Sequence, residues 1–218
     1  MTTGTARPLT RRLAMLLLLA APLASCSVVP GASVPPPQLY VLSPKSTFPS
    51  DVPRTDWQIA IEVPVADAAL NTARITVRHD PLSLEYFERA NWIDTAPRML
   101  QTLMVESFEN SKKAPAVGRA SVGLRADYTL VSELRAFQAE YDDGPIATVR
   151  IRMDVKLIKM PQRSIVGTVS VMRTARAHGT SIDNVVLAFD DALGKALRKI
   201  VAWTLTTLPP STGKADAR

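Results

Sequence analysis

Between Leu124 and Val171 apolar and polar residues trade places at almost every step, and this alternation restricts the fold more than any other feature of the chain. Ala147, Val149, Ile151, Met153, Val155 and Leu157 alternate with Thr148, Arg150, Arg152, Asp154 and Lys156. Side chains on a strand point to opposite faces in turn, so this is a strand with one apolar face and one wet face. The stretch before it holds Leu124, Ala126, Tyr128, Leu130, Leu134 and Ala136 at even positions, then changes phase to Phe137, Ala139 and Tyr141. A phase change of one residue predicts a β-bulge. Asp142-Asp143-Gly144-Pro145 and Pro161-Gln162-Arg163 read as turns. Ile165, Gly167, Val169 and Val171 share a face in a third strand that ends near His178-Gly179. Three long strands joined by short turns are antiparallel neighbours.

The cover for their apolar face follows directly. Ile182, Val185, Val186, Phe189, Leu193, Leu197, Ile200, Val201, Leu205 and Leu208 step by three or four, with Thr180 or Ser181 as cap and Pro209-Pro210 as stop. A stripe this regular is read as docked on a sheet in preference to lying on a membrane surface. The first half is less regular. Gln38 to Pro44 reads as a short strand. Trp57, Ile59, Ile61 and Val63 alternate in a half-buried one, followed by a turn over Asp67 to Asn71. Arg74 to His79 is a strand with Ile75 and Val77 inward; Asp80-Pro81 turns it into a hairpin whose second arm carries Leu82, Leu84 and Tyr86. Asp94 is the expected cap of a helix with Pro97 in its first turn and Leu100, Leu103, Met104 and Phe108 at helical spacing, ending near Asn110 to Lys113. The predicted class is α+β: a single domain, mainly antiparallel sheet, with two principal helices packed on it, the second C-terminal.

The N-terminus reads differently. Arg7, Arg11 and Arg12 precede the apolar run Leu13 to Leu23, which small residues close; this is the pattern of a secretory signal. The run is too short for a spanning helix of about 20 residues. Leu23-Ala24-Ser25-Cys26 stand in the order of a lipobox, which implies a thioether from Cys26 to diacylglycerol, cleavage before Cys26, and an N-acyl chain such as palmitate on the new terminus. The expected layout is a signal over 1–25, a lipidated proline-rich tether over 26–38, a folded domain over 39–208 and a disordered tail over 209–218. Cys26 is the only cysteine, so no internal disulfide forms. Removing the three signal arginines leaves 23 basic and 20 acidic residues, a net charge of +3. That mild charge, with no basic run carrying interleaved aromatics, argues against nucleic acid and is compatible with an anionic lipid surface.

Catalytic patterns are missing. His79 and His178 have no second histidine, cysteine or acid at ligand spacing, so no metal site and no cofactor beyond the covalent lipid is expected. There is no Gly-x-Ser-x-Gly elbow and no phosphate-cradling glycine loop. The acid pairs Asp142-Asp143 and Asp190-Asp191 read as solvated. The chain is therefore expected not to be an enzyme.

With a lipobox and a proline-rich spacer ahead of it, Tyr40-Val41-Leu42-Ser43 resembles the start of the ABC-type transport auxiliary lipoproteins, which include the paraquat-inducible-protein C lipoproteins of Gram-negative bacteria. Ile75-Thr76-Val77-Arg78, Leu84-Glu85-Tyr86-Phe87 and Trp92 look like that family's middle segment, and Leu130 to Phe137 like its long strand. The closing helix, with Ala188-Phe189-Asp190 and Trp203, also fits, whereas Ala66 to Ala73 lacks the family's proline-aromatic pattern. The resemblance implies an envelope lipoprotein that serves an MCE-domain periplasmic protein and its ABC permease and ATPase in moving phospholipids or other hydrophobic compounds between inner and outer membranes. Ser27 after the cysteine, where enteric bacteria use aspartate to retain lipoproteins at the inner membrane, points to the periplasmic leaflet of the outer membrane. A structural envelope lipoprotein and an envelope hydrolase are the alternatives. The candidate partner surface is Arg89 with Tyr86, since arginine and tyrosine dominate many interfaces; it would meet an MCE-type partner or a second copy of the chain. Trp92 is read as core.

Overall fold

The computed structural model describes residues 35–120, 125–142 and 144–209, together with Thr2. The signal apart from Thr2, including Leu23-Ala24-Ser25, together with Cys26, the tether up to residue 34, Leu124, Asp143 and the tail from residue 210, lies outside the described residues. In chain order the elements are β1 (Gln38–Tyr40), β2 (Ile59–Ile61), β3 (Val65–Ala66), β4 (Arg74–Arg78), β5 (Glu85–Trp92), α1 (Ala96–Ser111), β6 (Val117–Arg119), β7 (Tyr128–Glu140), β8 (Thr148–Lys159), β9 (Ser164–Arg176) and α2 (Ile182–Thr207). The class is α+β, with a large, mostly antiparallel sheet and two helices.

The sheet is built around β7. Along one edge it pairs antiparallel with β8 over its whole length, and β8 pairs antiparallel with β9. Along the other edge β2, β3 and β4 follow one another in file, each parallel to β7. β6 extends the sheet from β2, while β5 extends it from β4 and β1 from β5. The predicted bulge is present: pairing passes from Leu134↔Met153 to Ala136↔Arg152, leaving Arg135 as the extra residue. A second bulge went unread. Leu157 pairs with Gly167 and Ile158 with Ile165, so Val166 is extra and Ile165 turns to the face opposite Gly167, where it is 58% exposed. The expectation that Ile165 shares the face of Gly167, Val169 and Val171 is corrected by that one inserted residue.

Both helices cover the same face. α2 packs on β8 and β9, α1 on β2 and β6, and the helices touch each other. Phe189, Leu193, Leu197, Ile200 and Val201 are fully buried against Leu134, Met153, Val155 and Val171. Trp92, Phe137 and Phe189 form the aromatic centre, with ring centroids 5.0–5.6 Å apart. Such pairs add to their area burial by about 0.5–1.5 kcal/mol. Helix α2 starts at Ser181, whose hydroxyl accepts from the Asn184 amide, and ends one residue before the Leu208 cap and Pro209. Gly167 lets β9 approach it closely: a Cβ there would lie 2.8 Å from the Thr207 methyl and 3.1 Å from the Trp203 ring.

Three other expectations change. The cap of α1 is Thr95; Asp94 accepts from the Thr95 amide instead, because Pro97 fixes the helix start one residue later. β2 is buried on both faces, since Ala60 is as covered as Ile59 and Ile61, and Val63 falls outside it at 42% exposure. α1 packs on β2, and Ala60, whose side chain points to the face opposite Ile59 and Ile61, is buried as well. Leu82 and Leu84 precede the hairpin's second arm: Asp80 accepts from the Leu82 amide and the Ser83 hydroxyl, and this closed turn leaves Leu82 98% exposed.

β1 is tied to α2 by a buried phenol. The Tyr40 hydroxyl donates to Asp183 at 2.8 Å. Burial, then the hydrogen bond to Asp183, pushes the Tyr40 pKa up to about 12. The folded value is raised above that of the unfolded chain, so the contribution is complete below pH about 10 and is lost as pH rises through about 12. Tyr40→Phe should cost about 1.5–3 kcal/mol at neutral pH, the range for a hydrogen bond to a charged group. It should also flatten the alkaline fall in stability. Urea midpoints at neutral pH and at several alkaline values measure both, and an unchanged alkaline limb in the variant would refute the assignment.

Candidate functional site

The face of the sheet away from the helices is open and polar. Cross-strand register puts Glu133, Asp154 and Ser170 in one row, Ala136, Arg152 and Met172 in the next, and Gln138, Arg150 and Thr174 in a third. Asp154 sits at the middle of a network. It accepts from the Ser170 hydroxyl at 2.5 Å and from Arg135 at 3.3 Å, with Arg152 at 4.0 Å. The Ser170 bond, then the charges of Arg152 and Arg135, hold its carboxyl below the usual carboxylate range against the opposing effect of burial. Glu140, at the end of β7, is 2% exposed, with two charged partners, Arg150 at 2.7 Å and Arg78 at 3.6 Å, and a neutral donor, the Gln138 amide, at 2.9 Å. A buried carboxylate needs such pairing to remain tolerable. The alternation had revealed Arg150, Arg152 and Asp154 as a polar face, but their partners come from strands remote in sequence and left no local signal.

Tyr86 belongs to this open face. It lies opposite Thr76, its ring is covered by the Arg74 guanidinium at 3.8 Å, and its hydroxyl donates to the Ala69 carbonyl at 3.2 Å. A cation over an aromatic face and a hydroxyl tied to a turn make it a fixed strut. Arg89 is different. Pairing between β4 and β5 jumps from Thr76↔Tyr86 to Arg74↔Asn91, so Phe87 to Ala90 stand opposite Ile75 alone. Arg89 is exposed within this bulged stretch of β5, in the left-handed region at φ 52°. Strain of that kind on a non-glycine residue costs about 1–3 kcal/mol and persists only where the surroundings enforce it. The sequence places Tyr86 on the hairpin's second arm and Arg89 in the segment leading to α1; both lie on β5, three residues apart, one anchored and one presented. Trp92, as read, is core, at 1% exposure.

His79 stacks on Tyr141 at 4.9 Å and His178 is exposed. Among the described residues no group of three or more His, Cys, Asp or Glu is arranged to hold a metal ion. Asp190, expected to be merely solvated, accepts from the Ser43 amide at 2.6 Å and pins the chain after β1 to α2. Asp191 pairs with Lys195 one turn on, at 2.7 Å. Among the described residues no helix is long and apolar enough to cross a membrane.

Comparison with known proteins follows this geometry. A crystal structure of a Xanthomonas campestris protein of family DUF330, XCC0632, superposes with a TM-score of 0.74 at 28% identity, over 78% of this chain and 95% of that one. A crystal structure of an uncharacterized protein shares the fold with a TM-score of 0.60 at 15% identity, over 78% and 99% of the two chains. An uncharacterized protein of Bradyrhizobium diazoefficiens is 27% identical over 150 residues, which are 67% of this chain; the chain spans 39% of that relative's length. The family described as the ABC-type transport auxiliary lipoprotein component matches residues 40–201, from the end of β1 to the last turns of α2. That family is one of transport accessories and not of enzymes, and this chain belongs to it.

Proposed function

We propose that the chain is the lipid-anchored docking component of an ABC transport system whose periplasmic member carries an MCE domain, and that the system moves phospholipids or other hydrophobic compounds between the two membranes. The observation that carries this reading is the family match across nearly the whole described domain. In this reading Leu23-Ala24-Ser25 direct cleavage before Cys26, Cys26 carries diacylglycerol and an acyl chain, and residues 26–38 form the tether. The domain, 39–208, faces the periplasm from the inner leaflet of the outer membrane, and 209–218 is its tail.

Arg89 is the proposed contact with the MCE partner or a second copy, with Tyr86 holding the bulged stretch that presents it. The supporting geometry is an exposed guanidinium at a strained backbone position beside a braced aromatic. Charge reversal tests it. Arg89→Glu removes no core contact, so its thermal stability should stay within about 0.5 kcal/mol of the parent. Loss of a desolvated interfacial charge pair costs about 2–5 kcal/mol in affinity, or at least ten-fold. Pull-down from membranes of cells making the natively anchored protein, followed by protein and lipid identification, should therefore recover an MCE protein with the parent and little with the variant. Full recovery with Arg89→Glu removes this surface from consideration, and a parent that brings down no transporter component refutes the wider reading. Recovery at inner-membrane density on a sucrose gradient would overturn the outer-membrane placement.

A further inference from the structure

The exposed flank of α2 carries a concentration of cations that the docking role does not use. Lys195, Arg198 and Lys199 stand on successive turns, with Lys45 on the segment after β1 beside them and Arg173 on β9 on the other side. Two shallow depressions of about 410 and 290 Å³ adjoin here and share Lys195 and Arg198 as walls. The smaller is lined by Pro49, Ala202 and the side chains of Arg173, Lys195, Arg198 and Lys199, whose aliphatic stems make its surface almost wholly apolar. Two acids line the larger depression, Asp191 paired with Lys195 and Asp190 accepting from the neutral Ser43 amide, so five cations face two acids and the flank keeps a net positive charge. Among the described residues no ion pair holds Lys45, Arg173, Arg198 or Lys199. The helix dipole does not account for them, because its influence is confined to the last turn and these residues stand eight or more positions before Thr207.

We propose that this flank is a docking surface for the anionic phospholipid headgroups of the membrane in which the chain is anchored, the cations holding phosphates and the apolar floor receiving the glycerol region. The inference rests on the lipid-anchor reading of Cys26. Chain length allows it. From Cys26 to Gln38 a proline-rich tether reaches about 37 Å at ~3.1 Å per residue. Tyr40, two residues into the domain, is bonded to Asp183 in the first turn of α2, and Arg198 lies about 22 Å further along that helix at ~1.5 Å per residue. The reach exceeds the span, so the domain can rest on this flank while its anchor stays in the bilayer. A protein lying this way turns the helix side to the lipid and leaves the open face of the sheet, with Tyr86, free for a partner.

The test uses the full chain, made in cells and purified from their membranes in detergent, then reconstituted into vesicles of phosphatidylcholine alone or of an equimolar mixture with phosphatidylglycerol. Amine labelling read by mass spectrometry compares Lys195 and Lys199 with Lys156, which is exposed on the opposite face of the sheet. Each basic residue near an anionic surface contributes about five-fold in partitioning, so Lys195 and Lys199 should label at least ~5-fold more slowly on the anionic vesicles while Lys156 is unchanged. The protection should vanish near ~1 M salt, where the Debye length is about 3 Å. The variant R198E/K199E, altered at two exposed positions, should lose the protection at Lys195, the labelled amine that remains on the flank, while melting like the parent. Equal labelling on both vesicles overturns the proposal. So does equal protection by inorganic phosphate on phosphatidylcholine vesicles, which would make this a site for a free anion. Failure of the protein to incorporate at all would refute the anchor and not the patch; co-sedimentation of the same chain with added phosphatidylglycerol vesicles then decides, its presence supporting the surface and its absence overturning it.

Discussion

Leu197→Asp is expected to abolish the fold. Leu197 is fully buried where α2 meets the three long strands. Truncating such a leucine costs about 2–5 kcal/mol, and an ionised carboxylate in its place costs several more because nothing there can pair with it. A domain of this size has about 5–15 kcal/mol to lose. Near-ultraviolet circular dichroism should collapse, since Trp92 packs on Phe189 of the same buried helix stripe. Leu187 on the same helix is 62% exposed, so Leu187→Asp should change stability by no more than about 0.5 kcal/mol. A Leu197→Asp protein that melts with the parent would mean that α2 does not depend on the sheet.

Cys26→Ala has the largest expected effect on location. In the proposed anchor the Cys26 thiol is the nucleophile for lipid attachment, and alanine offers none. Each buried methylene contributes about 0.8 kcal/mol, and stable attachment takes more than one chain or a chain with a basic patch. Without any chain, the flank of α2 alone gives weak, salt-sensitive binding. The variant should therefore stay as uncleaved precursor or wash from membranes in salt, as fractionation and immunoblotting would show. Normal processing and membrane retention of Cys26→Ala would end the lipobox reading.

What the sequence discloses is set by distance along the chain. The alternation in β8, the bulge at Arg135 and the stripe of α2 are local patterns, and each was legible. The parallel edge of β7 was not. Ile59 pairs with Tyr128 and Thr76 with Gln138, and nothing near either residue names its partner. For the same reason Ala60 looked solvent-facing and proved covered. The Val166 bulge escaped because its flanks, Ile165 and Gly167, fit an unbroken alternation as well as a broken one. At the candidate surface, Arg89 is chosen from residue type and its neighbouring aromatics alone. Its bulge, and the stack that makes Tyr86 a strut, depend on Arg74 and Ala69, which only the fold brings near.

The position of β7 bears on the order of events during export. Pairings of β4 with β5, β5 with β1 and β2 with β6 lie within the first 119 residues, but no strand joins these fragments before Tyr128–Glu140 is available. Isolated hairpins are marginal in water, and long-range pairing must await closure of the intervening loops. More than half of the chain thus emerges before any template exists on which it could condense. A polypeptide threaded from its N-terminus through a narrow translocon must remain unfolded in transit. For a chain exported as proposed above, withholding the central strand postpones commitment to the final structure until most of the chain has crossed.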